Sequence, residues 1–292
     1  MIPKLFQIGP VPVYSYGLML GISFIVASYL LSREFKRKKM DENVAVNITF
    51  IALIAGVVGA KLLYIIEEWD YITSLPSGKL FSTDGLFSAQ GLTFYGGFIL
   101  ATVLIYLYVR SKKIPFLRVC DAAAPSLAIG YGIARIGCHL SGDGDYGIPV
   151  SEFASWVPWG TNYSHGTLPP SVAFRGTEIA QKFGGIVPDN TLCHPTPIYE
   201  FILAVIILAV LWIYRKKFKM DGKLFGLYLI LSGFARFMIE FIRLNPRILF
   251  GLSEAQVISI PLMILGIYLL FTKKLPVRSE PVKAIKKKEK KG

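Results

Sequence analysis

Charged residues are scarce in this sequence, and their scarcity excludes an ordinary soluble domain. Only 17% of the 292 residues are Asp, Glu, Lys or Arg, whereas 53% are hydrophobic. The mean hydropathy of +0.51 is typical of an integral membrane protein. Seven apolar runs are each about long enough to cross the ~30 Å hydrocarbon core of a bilayer. They cover residues 14–32, 46–66, 92–109, 119–139, 197–214, 224–243 and 256–272.

Alternation of apolar and polar residues with a period of two is also missing from these runs, which excludes a transmembrane β-barrel. The predicted fold class is therefore an all-α integral membrane protein with seven transmembrane helices. Internal repeats are absent as well, and the segments lack the paired broken helices that are typical of transporters.

Acidic residues are outnumbered, 19 to 32, by basic residues. Twenty-three of the basic residues lie in alternate loops and in the C-terminal tail. Because basic loops stay on the cytoplasmic side, this predicts an N-terminus outside and a C-terminus inside. We expect residues 1–272 to form a transmembrane domain, with an extracytoplasmic cap at about 141–195. Residues 273–292 form a basic cytoplasmic tail, whose expected partners are membrane lipids, since no nucleic-acid module accompanies it.

Cysteine and histidine are few, with three of each. Cysteine precedes histidine directly at Cys138 and Cys193, but adjacent helical residues point about 100° apart and no metal-ligand spacing is present. We therefore expect no metal site. Two interpretations of Cys138 and Cys193 stay open, namely a disulfide in an oxidising outer compartment or small apolar packing residues.

Charged residues inside the apolar runs carry the functional information. Arg135 lies in the fourth run, and Arg236, Glu240 and Arg243 share one helical face of the sixth run at i, i+4 and i+7. Intramembrane charges need a partner or a wet cavity. One carboxylate cannot neutralise three arginines, so we expect surplus positive charge that binds an anion, and a lipid phosphate is the anion available at that depth.

The alternative is that Arg135 and Arg243 extend to the lipid headgroups while Arg236 pairs with Glu240. Small residues near the arginines weigh against it, because they let a backbone or a headgroup approach closely. Those near Arg135 are Gly130, Gly132, Gly137 and Gly142, and those before Arg236 are Ser232 and Gly233.

Six motifs, in order along the chain, resemble those of the phosphatidylglycerol prolipoprotein diacylglyceryl transferases. They are YGLML, GLTFYGG, CDAAAPSLAIGYGIARIGCHLSGDGDYG, HPTPIYE, GFARFMIEFIR and LSEAQVISIPLMILG. The resemblance implies a bacterial inner-membrane, multi-pass enzyme with an outward-facing site and no cofactor. Such enzymes transfer the diacylglyceryl group of phosphatidylglycerol to the lipobox cysteine of a preprolipoprotein, forming a thioether and releasing glycerol phosphate.

The resemblance also implies roles for individual residues. Arg135 falls on the family's signature arginine and Arg236 on its second essential arginine. The other residues that the motifs place at the substrates are Tyr16, Gly96, Gly97, Asp121, Gly137, Ser141, Asp143, His194, Tyr199, Glu240 and Arg243.

Departures from the family pattern concern the acceptor side. Tyr95 stands where the family usually has histidine, and Cys138 and His139 replace its usual Asn-Phe. Forming a thiolate calls for a base with a pKa near 7, and His139 or His194 can supply it. Tyr95 can orient the thiol or relay the proton. Structural roles remain alternatives for all three residues. For the whole protein, the alternatives are a transferase with another phospholipid donor or another thiol acceptor, and a membrane protein that binds a lipid or an anion without catalysis.

Overall fold

A computed structural model describes residues 1–9, 11–74 and 93–272. Each apolar run falls on a helix, and two of the seven helices lie within residues 32–119. These are α2 (Glu42–Glu67) and α4 (Phe94–Ser111), with the short α3 (Trp69–Ser74) after α2. The others are α1 (Ser15–Arg37), α5 (Phe116–Ser141), α8 (Thr196–Tyr214), α9 (Lys223–Ile239) and α10 (Glu254–Phe271).

Five helices among the described residues are long and apolar enough to cross a membrane. They are Ser15–Arg37, Glu42–Glu67, Thr196–Tyr214, Lys223–Ile242 and Glu254–Phe271. In α4 the apolar stretch Tyr95–Ser111 is shorter, and α5 carries Asp121 and Arg135 within its length. The chain is thus a helical membrane protein, and the count of seven spans stays a prediction.

Three short two-stranded antiparallel sheets in the described part of the chain depart from the all-α expectation. They pair β1 (Lys4–Ile8) with β2 (Val11–Tyr14), β3 (Thr161–Asn162) with β4 (Leu192–Cys193), and β5 (Arg247–Leu249) with β6 (Leu252–Ser253). Segments this short carry too few residues for a recognisable alternation in sequence.

The chain divides into two compact units, and the described part of one comprises residues 1–31 and 120–272, without residue 10. Small residues join its helices. The Ser23 hydroxyl donates to the Gly130 carbonyl at 2.7 Å, and a Cβ at Gly132 would lie 2.7 Å from that of Ala204. The glycines around Arg135 therefore admit neighbouring helices, which is one of the two uses that the sequence allowed.

Between α5 and α8, residues 142–195 fold around a small apolar core of their own. Buried members of this core are Tyr146, Tyr163, Phe174, Ala180, Val187 and Cys193. The rings of Tyr146 and Tyr163 stack with centroids 4.1 Å apart. The segment also holds two short helices, α6 (Pro170–Ala173) and α7 (Glu178–Lys182). An extracytoplasmic cap was expected at 141–195, and that this segment covers the helices on the outer side of the membrane stays a prediction.

The second unit includes Ser32–Val119. Its helices α2 and α4 meet at glycines, since a Cβ added at Gly96 would lie 2.3 Å from the Gly59 carbonyl oxygen and one at Gly97 would lie 2.5 Å from that of Gly56. Two of the predicted substrate-binding residues, Gly96 and Gly97, are thus helix-packing positions. The predicted basic tail, 273–292, lies outside the described residues.

Candidate active site

Glu200 lies at the centre of a buried cluster of charges at one end of the unit formed by residues 1–31 and 120–272. Its side chain is 3% exposed. It accepts hydrogen bonds from the Tyr131 hydroxyl at 2.5 Å, from Arg236 Nη1 at 2.9 Å and from Arg243 Nη1 at 3.1 Å. Arg135 Nε lies 3.2 Å from Glu200 Oε2. One carboxylate from α8 thus gathers all three arginines that the sequence singled out.

Arg135 is held on two further sides. Its Nη1 pairs with the carboxylate of Asp145, and its guanidinium lies over the Tyr131 ring, 4.9 Å from the centroid. Although Arg135 Nε is close to Glu200, it is buried and makes no hydrogen bond to the described residues. A buried N–H without an acceptor is costly, so this atom has unused capacity to donate to a bound anion.

Asp145 links two of the arginines from the turn that follows α5. Its carboxylate pairs with both Arg135 and Arg243, and its backbone carbonyl accepts from the Thr196 hydroxyl at 2.8 Å. Burial raises the pKa of Asp145, but Arg243 and Arg135 more than offset it and hold the pKa at about 2. Asp145 is therefore ionised at any physiological pH.

Glu240 pairs with the arginine one helical turn before it. Its carboxylate is fully buried, 3.2 Å from Arg236 Nη2, and also accepts from the Asn245 amide. Arg247 donates to the Glu240 carbonyl oxygen at 3.2 Å and to Gln256 Oε1 at 2.9 Å. The Arg236–Glu240 pair is the one that the alternative interpretation of the sequence predicted.

The prediction of surplus positive charge around the three arginines is wrong. Within the described residues of the cluster, Arg135, Arg236 and Arg243 face Asp145, Glu200 and Glu240, so the formal charges balance. Sequence reasoning counted only the carboxylate that shares a helix with two of the arginines. Glu200 carried a signal, because it is a carboxylate in the first turns of the fifth apolar run, whereas Asp145 had none beyond its nearness to Arg135.

Gly147 lets the cluster close. A Cβ at this position would lie 2.4 Å from the Ile242 carbonyl oxygen and 2.7 Å from the Thr196 methyl carbon. Its N–H donates to the His194 carbonyl at 2.8 Å, and it bridges to Arg243. Only glycine fits where the turn after α5, the start of α8 and the end of α9 converge.

The two candidate bases are placed differently. His194 is buried, and both ring nitrogens are engaged, Nδ1 with the Tyr199 hydroxyl at 3.2 Å and Nε2 with the Phe153 carbonyl oxygen at 2.8 Å. His139 is partly buried, and its Nδ1 lies 3.0 Å from the Tyr163 hydroxyl. His194 therefore has no nitrogen left for a thiol, and the geometry favours His139.

Polar residues just after Arg135 lie beside the cluster. The ligand atoms of Cys138, Asp143 and Asp145 are all within 4.8 Å of one another. Such a group is able to hold a cation. Asp145, however, already pairs with two arginines, whose positive charges disfavour a cation here. Burial and the neighbouring Asp145 charge raise the pKa of Asp143. Arg135 Nη1 donates to Cys138 Sγ at 3.6 Å.

Ser141 and Gly137 have packing roles next to this group. The buried Ser141 hydroxyl donates to the Cys138 carbonyl at 3.1 Å. A Cβ at Gly137 would lie 3.3 Å from Tyr16 Cα, so α1 passes close to α5 here. Tyr16 itself is exposed beside this contact. All three cysteines are free thiols, and the structure does not form the disulfide considered for Cys138 and Cys193.

Asp121 lies outside the cluster. It is 14 residues before Arg135 on α5, or about 21 Å along a helix. Its carboxylate accepts from the Phe225 N–H at 2.9 Å, in the first turn of α9. Tyr95 is an exposed residue of the second unit, at the start of α4 beside Gly96. The structure thus brings together the arginines, Glu240 and the segment 137–145 at the end of α5, but gives Asp121 a helix-capping position.

The family model for prolipoprotein diacylglyceryl transferase matches residues 3–272. The chain belongs to this family. A Clostridium tetani (strain Massachusetts / E88) relative is 32% identical over 269 residues, covering 92% of this chain and 96% of the relative. A Leptospira interrogans (serovar copenhageni) relative is 31% identical over 266 residues, covering 85% and 76%. A Clostridium novyi (strain NT) relative is 30% identical over 281 residues, covering 96% and 98%.

Each of these relatives is named a phosphatidylglycerol–prolipoprotein diacylglyceryl transferase. The family that the six motifs predicted is therefore confirmed. The charge cluster around Glu200 contains Arg135 and Arg236, the two arginines on which the resemblance places the family's essential arginines, and their catalytic roles stay a prediction.

Proposed function

We propose that the protein transfers the diacylglyceryl group of phosphatidylglycerol to the lipobox cysteine thiol of preprolipoproteins. Family membership and the names of the relatives support this reaction. The observation that carries it is the convergence of three arginines on the Glu200 carboxylate at one end of the helices. Arg135, Arg236 and Arg243 each place a nitrogen within 3.2 Å of it. Planar guanidinium groups match the geometry of a phosphodiester better than any other side chain.

The reaction forms a carbon–sulfur bond and breaks a carbon–oxygen bond. The thiolate sulfur attacks the glyceryl carbon that carries the phosphate ester, and the departing phosphate oxygen takes the bonding electrons and leaves as glycerol phosphate. Negative charge thus grows on the phosphate group. Arginines fixed in a buried site stabilise that charge without having to reorganise, and such fixed electrostatic stabilisation dominates catalysis in many enzymes.

The phosphate has to displace a carboxylate, because the cluster is already neutral. Asp145 is the partner most easily displaced, since its side chain is 34% exposed whereas those of Glu200 and Glu240 are 3% and 0% exposed. Arg135 and Arg243 would exchange Asp145 for the phosphate, and Arg135 Nε would gain the acceptor it lacks. Glu200 and Glu240 would keep the three guanidinium groups aligned.

The thiol proton passes to a group beside Arg135 in this proposal. His139 supplies the base, with the Tyr163 hydroxyl fixing its ring. Asp143, next to Cys138, contributes to binding the acceptor. Tyr16, Gly137, Ser141 and Tyr199 line or support the same end of this unit, and Asp121 caps α9 within it. Tyr95, Gly96 and Gly97 belong to the second unit, where the two glycines pack α4 against α2.

The membrane arrangement is also a proposal. Seven spans with an external N-terminus place the C-terminal end of α5 and the cap at 142–195 outside the cytoplasm, in the cytoplasmic membrane of a bacterium. The basic loops support this orientation. Residues 1–272 then form the transmembrane domain and 273–292 the cytoplasmic tail.

The test is incubation of purified protein with phosphatidylglycerol labelled in its acyl chains and a lipobox peptide, followed by mass spectrometry. We expect a diacylglyceryl adduct on the cysteine and free glycerol phosphate. A peptide with serine in place of cysteine is the matched control. Saturable lipid binding without any adduct would overturn the proposal and leave a lipid-binding protein.

A further inference from the structure

Three aromatic side chains project from one short loop of the cap. Trp156 is 77% exposed, Phe153 56% and Trp159 54%. The rings of Trp156 and Trp159 meet edge to face, with centroids 6.5 Å apart. Exposed apolar side chains that cluster in this way mark an interaction surface. We call residues 153–159 the aromatic loop.

A chain of hydrogen bonds ties the aromatic loop to the first turns of α8. Trp159 Nε1 donates to the Tyr199 hydroxyl at 2.8 Å, and that hydroxyl lies 3.2 Å from His194 Nδ1. His194 Nε2 lies 2.8 Å from the Phe153 carbonyl oxygen. Because a carbonyl only accepts, Nε2 carries the proton and Nδ1 accepts from Tyr199. Both ends of the loop are therefore fixed to one buried imidazole.

This attachment sets the depth of the loop relative to the membrane. Tyr199 is the fourth residue of Thr196–Tyr214, a helix long and apolar enough to span. The first turns of a spanning helix lie where hydrocarbon gives way to headgroups. A loop bonded to Tyr199 lies at that level, and Trp is the residue most typical of that zone, with an apolar ring and a polar N–H.

We propose that the aromatic loop inserts into the headgroup region of the bilayer at the N-terminal end of α8. Its partner is the lipid surface, and the inserted side chains are Phe153 and Trp156, with Trp159 oriented by its bond to Tyr199. The imidazole of His194 thereby has the role of holding the loop at the depth of the interface. This proposal requires a membrane protein but not the transferase reaction.

Tryptophan fluorescence in vesicles tests the insertion. Of the four tryptophans, the variant combining Trp69→Phe and Trp212→Phe keeps the two in the aromatic loop, Trp156 and Trp159, as reporters and leaves the Trp159–Tyr199 hydrogen bond in place. It is reconstituted in phosphatidylglycerol–phosphatidylcholine vesicles with acyl chains brominated near the headgroup or near the chain end. We expect at least twofold stronger quenching by the shallow bromines, a blue-shifted emission and little quenching by aqueous acrylamide.

A matched reporter is available in the same cap. Asn190→Trp, with all four native tryptophans changed to Phe, places the indole in the exposed run Pro188–Asn190. We expect acrylamide to quench this reporter strongly and bromines to leave it unchanged. Acrylamide quenching of the loop tryptophans equal to that of the Asn190→Trp reporter, without bromine quenching of the loop tryptophans, would overturn the proposal.

A peptide-binding role for the loop is a separate outcome of the same experiment. A lipobox peptide carrying a brominated phenylalanine would then quench the loop tryptophans although brominated lipids do not, and membrane insertion would be rejected. Transferase activity is not the readout, so failure of this proposal leaves the proposed function untouched.

Discussion

The residue that explains the cluster is Glu200, which the charge pattern of the sixth apolar run alone did not reveal. It is buried and lies within 3.2 Å of nitrogen atoms of all three arginines. Arginines this close together repel one another unless carboxylates separate them. Glu200 therefore allows three guanidinium groups to share one site before any lipid binds.

Arg135 is the first residue to test. Arg135→Ala should remove stabilisation of the developing phosphate charge worth ~3–4 kcal/mol and lower kcat by about 10²- to 10³-fold. Arg135→Lys keeps the charge but loses the planar donor pair, so it should remain strongly impaired. Turnover measured on folded, reconstituted protein checks both, with the exposed Arg175→Ala as the matched control. Full activity of Arg135→Ala would leave that arginine as a packing residue.

Asp145 tests the exchange of a carboxylate for the phosphate. Asp145→Asn should lower the KM for phosphatidylglycerol several-fold, because no ion pair has to break. It should also lower the free energy of unfolding by about 1.5–3 kcal/mol, the range for hydrogen bonds to charged groups. Initial rates and thermal unfolding measure the two effects. A KM that rises in folded protein would contradict the displacement of Asp145.

The pH dependence of Asp145 has a defined sign. Its pKa is held at about 2 in the folded protein, below the unperturbed value of about 3.9. The carboxylate therefore contributes stability that is fully present above about pH 4 and is lost as the pH falls toward 2. Unfolding measured from pH 7 to pH 2 should show this loss in the native protein, and a smaller one in Asp145→Asn.

The two histidines should separate in kinetics. His139→Ala should cost much more kcat than its effect on stability explains, and its pH–rate profile should lose the limb near neutrality where an imidazole titrates. His194→Ala should lower stability instead, because it leaves the Tyr199 hydroxyl and the Phe153 carbonyl without their partner. Profiles that match for the two variants would make both histidines structural.

Helix packing through glycine dominates at the scale of elements. α2 and α4 approach so closely that their glycine backbones occupy the space of a Cβ, as do α9 and α10 at Gly226 and Gly266. Close backbone approach of this kind replaces the hydrophobic driving force that helices lack inside a bilayer. The same feature gives Gly96, a residue expected at the substrate, a structural role in this fold.

Gly96→Ala distinguishes packing from substrate binding. Its new Cβ would lie 2.3 Å from the Gly59 carbonyl oxygen, so we expect a loss of about 1–3 kcal/mol in stability. Gly21→Ala is the matched control, because nothing lies within 4 Å of its Cβ and alanine favours a helix. Thermal unfolding in detergent compares them. A stable Gly96→Ala protein with a raised KM would assign this glycine to the substrate instead.

The whole molecule is a helical membrane protein, and its basic loops predict its orientation. We expect Asn190→Cys to react with an impermeant maleimide in intact cells and Lys286→Cys to react only after permeabilisation. The three native cysteines are buried and provide a low background. Labelling of Lys286→Cys in intact cells would contradict the cytoplasmic location of the tail.

Composition and apolar run length determined the class of protein and the position of each long helix, because crossing a bilayer requires about 20 apolar residues whatever they pack against. The motifs determined the family, and the cost of buried charge identified Arg135, Arg236 and Arg243. Tertiary structure alone decided their partners, since Asp145, Glu200 and Gly147 are brought together from separate segments by the fold. The tertiary structure also gave the two histidines different hydrogen-bond partners, Tyr163 for His139 and both Tyr199 and Phe153 for His194. No spacing in the sequence records which nitrogen of an imidazole meets a carbonyl oxygen.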